Sequence, residues 1–102
     1  MLYSVHIYIE NSFAEDWYEW MLGVHIPDVM RTRCFVGTKF SELIEPAKAG
    51  YQGYIIQYNT TEERLAEYQS NFAATLQAEH TARYEGHFLA ERFISKNLPE
   101  GI

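Results

Sequence analysis

The chain has 102 residues, which is the size of a single domain. Hydrophobic residues make up 47% of it, enough to build a buried core, and this composition argues against intrinsic disorder. The formal net charge of -6 repels phosphate backbones and therefore argues against nucleic-acid binding.

The first predicted elements are a strand and a helix. Residues 3–9 are rich in β-branched and aromatic side chains, which is typical of a strand. Ser12 and Glu15 have the spacing of a capping box, and the apolar residues that follow at helical spacing predict a helix over residues 13–24. Pro27 lacks an amide hydrogen, so we expect the helix to kink or stop there.

The remaining predicted elements are a second helix and three further strands. Thr60 and Glu63 form another possible capping box before a long helix that ends near Tyr84, with a bend at residues 70–71 and Gly86 as its C-terminal cap. The other predicted elements are a strand over residues 34–43, a turn over 45–50, a strand over 51–59 and a strand over 88–94.

The resulting β-α-β-β-α-β order predicts an α+β domain of the ferredoxin-like type. In this fold a four-stranded antiparallel sheet carries two helices on one face. We expect residues 1–95 to form this single domain and residues 96–102 to be a loose tail.

The sheet face without helices is expected to bind a second copy of the chain. An aromatic and only half-polar layer should not face water, and sheet-to-sheet packing of two copies would give a dimeric α+β barrel. The candidate interface residues are His6 and Tyr8 in the first strand and Tyr54 and Tyr58 in the third. Both faces of the third strand carry apolar bulk, so the sequence does not decide which one meets the helices.

Several motifs together resemble a family of short bacterial proteins classed as a domain of unknown function, of the family 4286 type. The resemblance spans residues 3–98, and its motifs are Trp17-x-x-Trp20-Met21, His25-Ile26-Pro27-x-Val29, Thr32, Phe35, Gln57-Tyr58, Tyr68, Leu76-Gln77-Ala78-x-His80-x-x-Arg83-Tyr84 and Arg92-Phe93. It implies the dimeric α+β-barrel superfamily and no catalytic residues. The chain departs from the expected pattern at Arg33, where a glycine would ease a left-handed helix cap.

The candidate ligand site consists of His25, His80, Arg83 and Tyr84. His80 and Arg83 lie one helical turn apart, and His25 would join them if the ends of the two helices meet. Imidazole and guanidinium groups suit an anionic small molecule such as a carboxylate or phosphate. In the alternative interpretation, which we weight more heavily, His25 caps a helix end and Arg83 pairs with Glu79 at i,i+4 spacing.

No motif fixes a metal, a cofactor or a reaction. Cys34 is the sole cysteine, and no HxH or HExxH spacing occurs, so neither a metal nor another cofactor is expected. No stretch reaches the ~20 apolar residues of a membrane span, and residues 1–10 lack a secretory-signal pattern, so we expect a cytoplasmic protein without a membrane partner. The favoured hypothesis is a homodimeric structural or interaction module. The alternative is a binder of an anionic small molecule or a cofactor-free enzyme, and the sequence leaves catalysis undecided.

Overall fold

The computed structural model describes residues 1–99. Four strands and four α-helices follow in chain order: β1 Leu2–Glu10, α1 Ala14–Trp20, α2 Ile26–Arg31, β2 Gly37–Leu43, β3 Tyr51–Asn59, α3 Glu62–Asn71, α4 Ala73–Tyr84 and β4 Phe88–Ser95. A 3-10 turn over Asn11–Phe13 precedes α1, and a π-helical turn over Met21–His25 joins α1 to α2. The predicted loose tail lies partly outside the described residues.

The strands form one antiparallel sheet in the order β2-β3-β1-β4. The two central strands, β1 and β3, are the longest, and each βαβ half crosses over a neighbouring strand. At the centre of the sheet, Val5 lies opposite Ile56 on one side and Arg92 on the other. This topology confirms the predicted ferredoxin-like α+β fold.

The helices cover the sheet face that carries Tyr3, Ile7 and Ile56, all of which are buried. The register between β1 and β3 places Tyr54 and Tyr58 on this same face, where their side chains are only 9% and 3% exposed. The expectation that Tyr54 and Tyr58 belong to the uncovered face is therefore wrong. They are core residues, because antiparallel pairing with β1 aligns the even-numbered residues of β3 with the odd-numbered residues of β1.

Of the two outcomes expected at Pro27, a kink or a stop, the stop is absent, because the helical path continues into α2. The amide of Ile26 donates to the carbonyl of Met21, five residues back, so the chain makes one wide π-turn before Pro27. Pro27 then falls in the first turn of α2, where its missing amide hydrogen costs little. The Ser12 capping box does not form, because residues 11–13 already make a 3-10 turn without a side-chain cap.

The other boundaries shift by one to three residues. Thr61, rather than Thr60, caps α3 by accepting a hydrogen bond from the amide of Arg64, whereas Thr60 is buried and donates to the carbonyl of Cys34 at 2.7 Å. This bond helps to hold residues 34–36 outside the strand, so β2 begins at residue 37. The long second helix breaks at Phe72, next to the predicted bend.

The turn before β2 keeps a left-handed conformation despite its arginine. Arg33 has φ of 62°, the region that a glycine would occupy without strain. Its amide donates to the carbonyl of Met30, which closes the end of α2. The expected shape of this turn is therefore present, with a side chain in place of the glycine.

The face opposite the helices has no other layer within the described residues. β1 presents His6 and Tyr8 there, and β4 presents Leu89, Glu91 and Phe93. Tyr8 donates a hydrogen bond to the carbonyl of Pro46 and so ties the loop between β2 and β3 to this face. We call this surface the open face.

Candidate functional site

A small cavity lies between the helices and the covered face of the sheet. Its volume is about 30 Å³, and it is partly open to solvent. The polar residues that line it are the histidines His25 and His80, the tyrosines Tyr3, Tyr58 and Tyr68, together with Gln77 and Arg92. It is smaller than the several hundred Å³ that a typical organic ligand occupies, and holds about two water-sized positions.

His80 is one of three polar residues in the described chain that are almost completely buried, with 5% exposure. It lies on α4, and its Nε2 atom accepts a 2.9 Å hydrogen bond from the indole Nε1 of Trp17, which is fully buried on α1. An indole nitrogen can only donate, so Nε2 of His80 carries no proton. A neutral His80 ring therefore carries its proton on Nδ1.

His25 approaches His80 from the π-helical turn. The two ring centroids are 5.8 Å apart in an edge-to-face arrangement, and the His25 ring also stacks on Trp20 at 5.2 Å. The Nδ1 atom of His25 is buried and has no hydrogen-bond partner. A buried polar nitrogen that no protein group bonds costs about 1–3 kcal/mol, so Nδ1 of His25 would gain from a hydrogen-bonding ligand.

Both imidazoles are neutral at pH 7. Burial lowers the pKa of His25 to about 4. The charge of Asp28 raises this pKa in part, whereas the charge of Arg92 lowers it further. Burial likewise lowers the pKa of His80 to about 4, and His25 and Arg92 lower it further. The pair thus offers hydrogen-bonding nitrogens without adding positive charge.

Arg92 supplies the fixed positive charge of the cavity. It lies on the same face of β4 as Ala90 and Ile94, its side chain is exposed at the rim of the cavity, and among residues 1–99 it forms no ion pair. The sequence reasoning missed it as a site residue. The available signal is the alternation Phe88, Ala90, Arg92 and Ile94, in which one charge interrupts an otherwise apolar face.

The structure places Arg83 away from the cavity. Its Nε donates to the hydroxyl of Tyr84 at 3.2 Å, and its Nη2 lies 3.8 Å from the carboxylate of Asp16, so the expected pair with Glu79 is absent. Tyr84 packs its ring 5.5 Å from His80, but its hydroxyl donates to Asp16. Of the predicted site residues, His25 and His80 therefore come together, Tyr84 supports His80 from outside, and Arg83 does not take part.

The arrangement suits a small anion better than a cation. Arg92 repels cations, and no group of three or more potential ligand side chains within the described chain could hold a metal ion. The guanidinium can bind an anionic oxygen, and neutral His25 can accept or share a proton at Nδ1.

Not one of the helices in residues 1–99 has the length and apolar character required to cross a membrane.

A second, wider cavity of about 270 Å³ lies on the open face. His6, Tyr8, Pro46, Lys48, Leu89 and Glu91 line it. The ring of His6 packs edge-on against Phe93, with centroids 4.9 Å apart. His6 and Tyr8 therefore lie on the face where the sequence places them, beside large apolar groups.

Solved structures share this fold at low sequence identity. An ethyl tert-butyl ether D (EthD) family protein from Bacillus halodurans is 10% identical, with a TM-score of 0.64, 94% of this chain and 100% of that chain being covered. A protein from Arabidopsis thaliana is 15% identical, with a TM-score of 0.60 and coverage of 97% and 99%. A dimeric ferredoxin-like protein of unknown function from Thermobifida fusca is 14% identical, with a TM-score of 0.50 and coverage of 90% of both chains.

At these identities the likeness concerns the fold alone. None of the curated protein sequences matches this chain. The family comparison is more specific, because one family model matches residues 1–97, nearly the whole chain. The chain belongs to the family described as Domain of unknown function (DUF4286).

Proposed function

We propose that this chain is a homodimeric interaction module that binds a second copy of itself through the open face. The observation that carries the proposal is the exposure of large apolar side chains there: Leu89 and Phe93 are each 47% exposed in the single chain. The similar Thermobifida fusca protein is described as dimeric, which supports the same assembly here. We further propose a bacterial, cytoplasmic protein, in keeping with its acidic composition and its single buried cysteine.

The area of the open face reaches the lower limit for a specific contact between two copies. Four strands about 4.8 Å apart and eight residues long at about 3.3 Å each cover about 500 Å² per copy. Two such faces bury about 1,000 Å², the lower bound for a specific interface. Because Tyr8 holds the loop at Pro46 against the sheet, this loop would border the contact.

The experiment is sedimentation velocity of the full chain at micromolar concentration with a matched pair of variants. Leu89→Glu places a charge on the open face, whereas Leu22→Glu places it on an equally exposed leucine in the helical layer, 48% against 47%. The wild type and Leu22→Glu should sediment as dimers and Leu89→Glu as a monomer with an unchanged circular dichroism spectrum. A monomeric wild type, or a dimeric Leu89→Glu, would contradict the proposal.

A second candidate function is the binding of a small anion in the cavity. The specific observation in its favour is that one cavity is lined by His25, whose Nδ1 has no hydrogen-bond partner, and by Arg92, which forms no ion pair among residues 1–99. His80 has a structural role, since it accepts the hydrogen bond of the buried Trp17 indole, but Nδ1 of His25 makes no hydrogen bond and adds nothing to a purely structural core. An Arg92→Gln variant that lost binding of every small anion tested would support this function, provided that the wild type binds one.

A further inference from the structure

We propose that the cavity between His25, His80 and Arg92 binds a small monocarboxylate and takes up one proton at His25 as it does so. This proposal rests on the second candidate function, and it names the class of ligand and the group that receives the proton. The carboxylate would pair with Arg92, and protonated His25 would donate from Nδ1 to the same ligand.

The charge of the cavity selects a monovalent anion. Among the described residues that line the cavity, Arg92 alone has a permanent charge, and both imidazoles are neutral at pH 7. A dianion such as HPO4²⁻, the form of phosphate that prevails at pH 8, would bring a second negative charge into the site without a fixed partner, which is costly. The planar fork of a guanidinium also matches the two oxygens of a carboxylate.

The size and the walls of the cavity select a short ligand. A volume of about 30 Å³ has room for two or so water-sized groups, which matches the two oxygens of a carboxylate and leaves little space for a long chain. Apolar side chains, among them Val5, Met21 and Ile56, form much of the remaining wall. They suit a hydrocarbon stub better than further hydroxyl groups, which would lack hydrogen-bond partners.

The hydrogen bonds identify His25 as the group that receives the proton. Protonation of His80 at Nε2 would break its bond with the indole of Trp17, whereas Nδ1 of His25 has no bond to lose. The charged and titratable groups around His25 are Asp28 on α2, His80 on α4 and Arg92 on β4. A bound carboxylate offsets the positive charge of Arg92 and adds a negative charge beside the ring.

The protonation of His25 makes the affinity of the cavity for acetate depend on pH. The pKa of His25 is about 4 in the free chain. An opposite charge within about 4–6 Å raises the pKa of an imidazole by about 1–3 units. If the pKa of His25 rises by two units in the complex, His25 is largely protonated at pH 5 in the complex but not in the free chain. The affinity for the acetate ion should therefore be about tenfold higher at pH 5 than at pH 8.

The test uses the full chain and sodium acetate as the probe. Amide chemical shifts in nuclear magnetic resonance spectra report binding at pH 5 and pH 8, with sodium chloride holding the ionic strength constant. Arg92→Gln should abolish the shifts, whereas Arg83→Gln, which removes an arginine outside the cavity, should leave them unchanged. His25→Asn should lower the affinity at pH 5 about tenfold, to the level seen at pH 8, and so lose the pH dependence. Circular dichroism confirms that each variant is folded.

The possible failures are distinguishable. Binding of acetate with equal affinity at pH 5 and pH 8 would overturn the proton uptake and leave the anion site standing. Binding of phosphate in preference to acetate would overturn the ligand class. If neither anion shifts the amides around His80 more than chloride does, the second candidate function fails together with this inference.

Discussion

The stability of the chain should fall steeply as the pH decreases from 7 to 5, because His25 and His80 are buried without charge. Both have a pKa of about 4 in the folded chain, against 6.5 for an unperturbed histidine. Above pH 6.5 neither state binds these protons, and the full stability is present. Between pH 6.5 and 4 the unfolded chain binds protons that the folded chain excludes, so stability is lost as the pH falls.

The size of the effect follows from the two pKa values. Each histidine changes the free energy of unfolding by about 1.4 kcal/mol per pH unit within this window, which gives about 2 kcal/mol between pH 7 and pH 5. The two together remove about 4 kcal/mol, a large part of the about 5–15 kcal/mol that stabilises a typical domain.

Urea denaturation followed by tryptophan fluorescence at pH 7, 6 and 5 measures this loss. His25→Gln should remove about half of the pH dependence, and the double variant with His80→Gln should remove most of it. His6→Gln is the control, because His6 lies on the open face and does not line the cavity of His25 and His80. A wild-type stability that is flat over this range would refute the reasoning, as would a full slope in the double variant.

Three substitutions test other features of the fold. Arg33→Gly should stabilise the chain by about 1 kcal/mol in urea denaturation, because φ of 62° strains every residue except glycine and, to a lesser degree, asparagine or aspartate; a loss of stability would contradict this account. Trp17→Phe should cost about 2–3 kcal/mol, since it removes both ring volume and the donor to His80, and the pKa of His80 in a nuclear magnetic resonance titration should rise. An unchanged titration would show that the hydrogen bond does not hold Nε2 unprotonated. Gly53→Ala should lower the melting temperature, because the new methyl group would lie 3.0 Å from the ring of Tyr8, and an unchanged melting temperature would mean that the ring yields without cost.

The order of elements was predictable from the sequence because each element has its own local period. The orientation of β3 was not, since both of its faces carry bulky apolar groups, with Ile55 on one and Ile56 on the other. Only the pairing of β3 with β1 decides the question, and this pairing is a contact between distant parts of the chain. The assignment of Tyr54 and Tyr58 to the interface failed for this reason.

The candidate site, too, could be predicted only as far as local sequence patterns reach, and the rest depends on contacts between distant parts of the chain. His25 and His80 lie at positions where helix ends were expected to meet, so their proximity could be predicted. Arg83 was chosen because it is one turn from His80, but its chain position directs it to Asp16. Arg92 enters the cavity from β4, and only the sheet register, which sets it opposite Val5, reveals its place.

The proposed dimer contact and the proposed anion site use opposite faces of the same strands. In β1, Val5 and Ile7 face the cavity, whereas His6 and Tyr8 face outward, and in β4 Arg92 and Phe93 point to opposite faces. The two groups proposed to bind the ligand, His25 and Arg92, belong to the same chain and lie on the cavity side of the sheet. A Leu89→Glu monomer should therefore bind acetate as the wild type does, with unchanged pH dependence. If the monomer lost acetate binding while it stayed folded, the partner would have to shape the cavity through the sheet, and the two functions would be one.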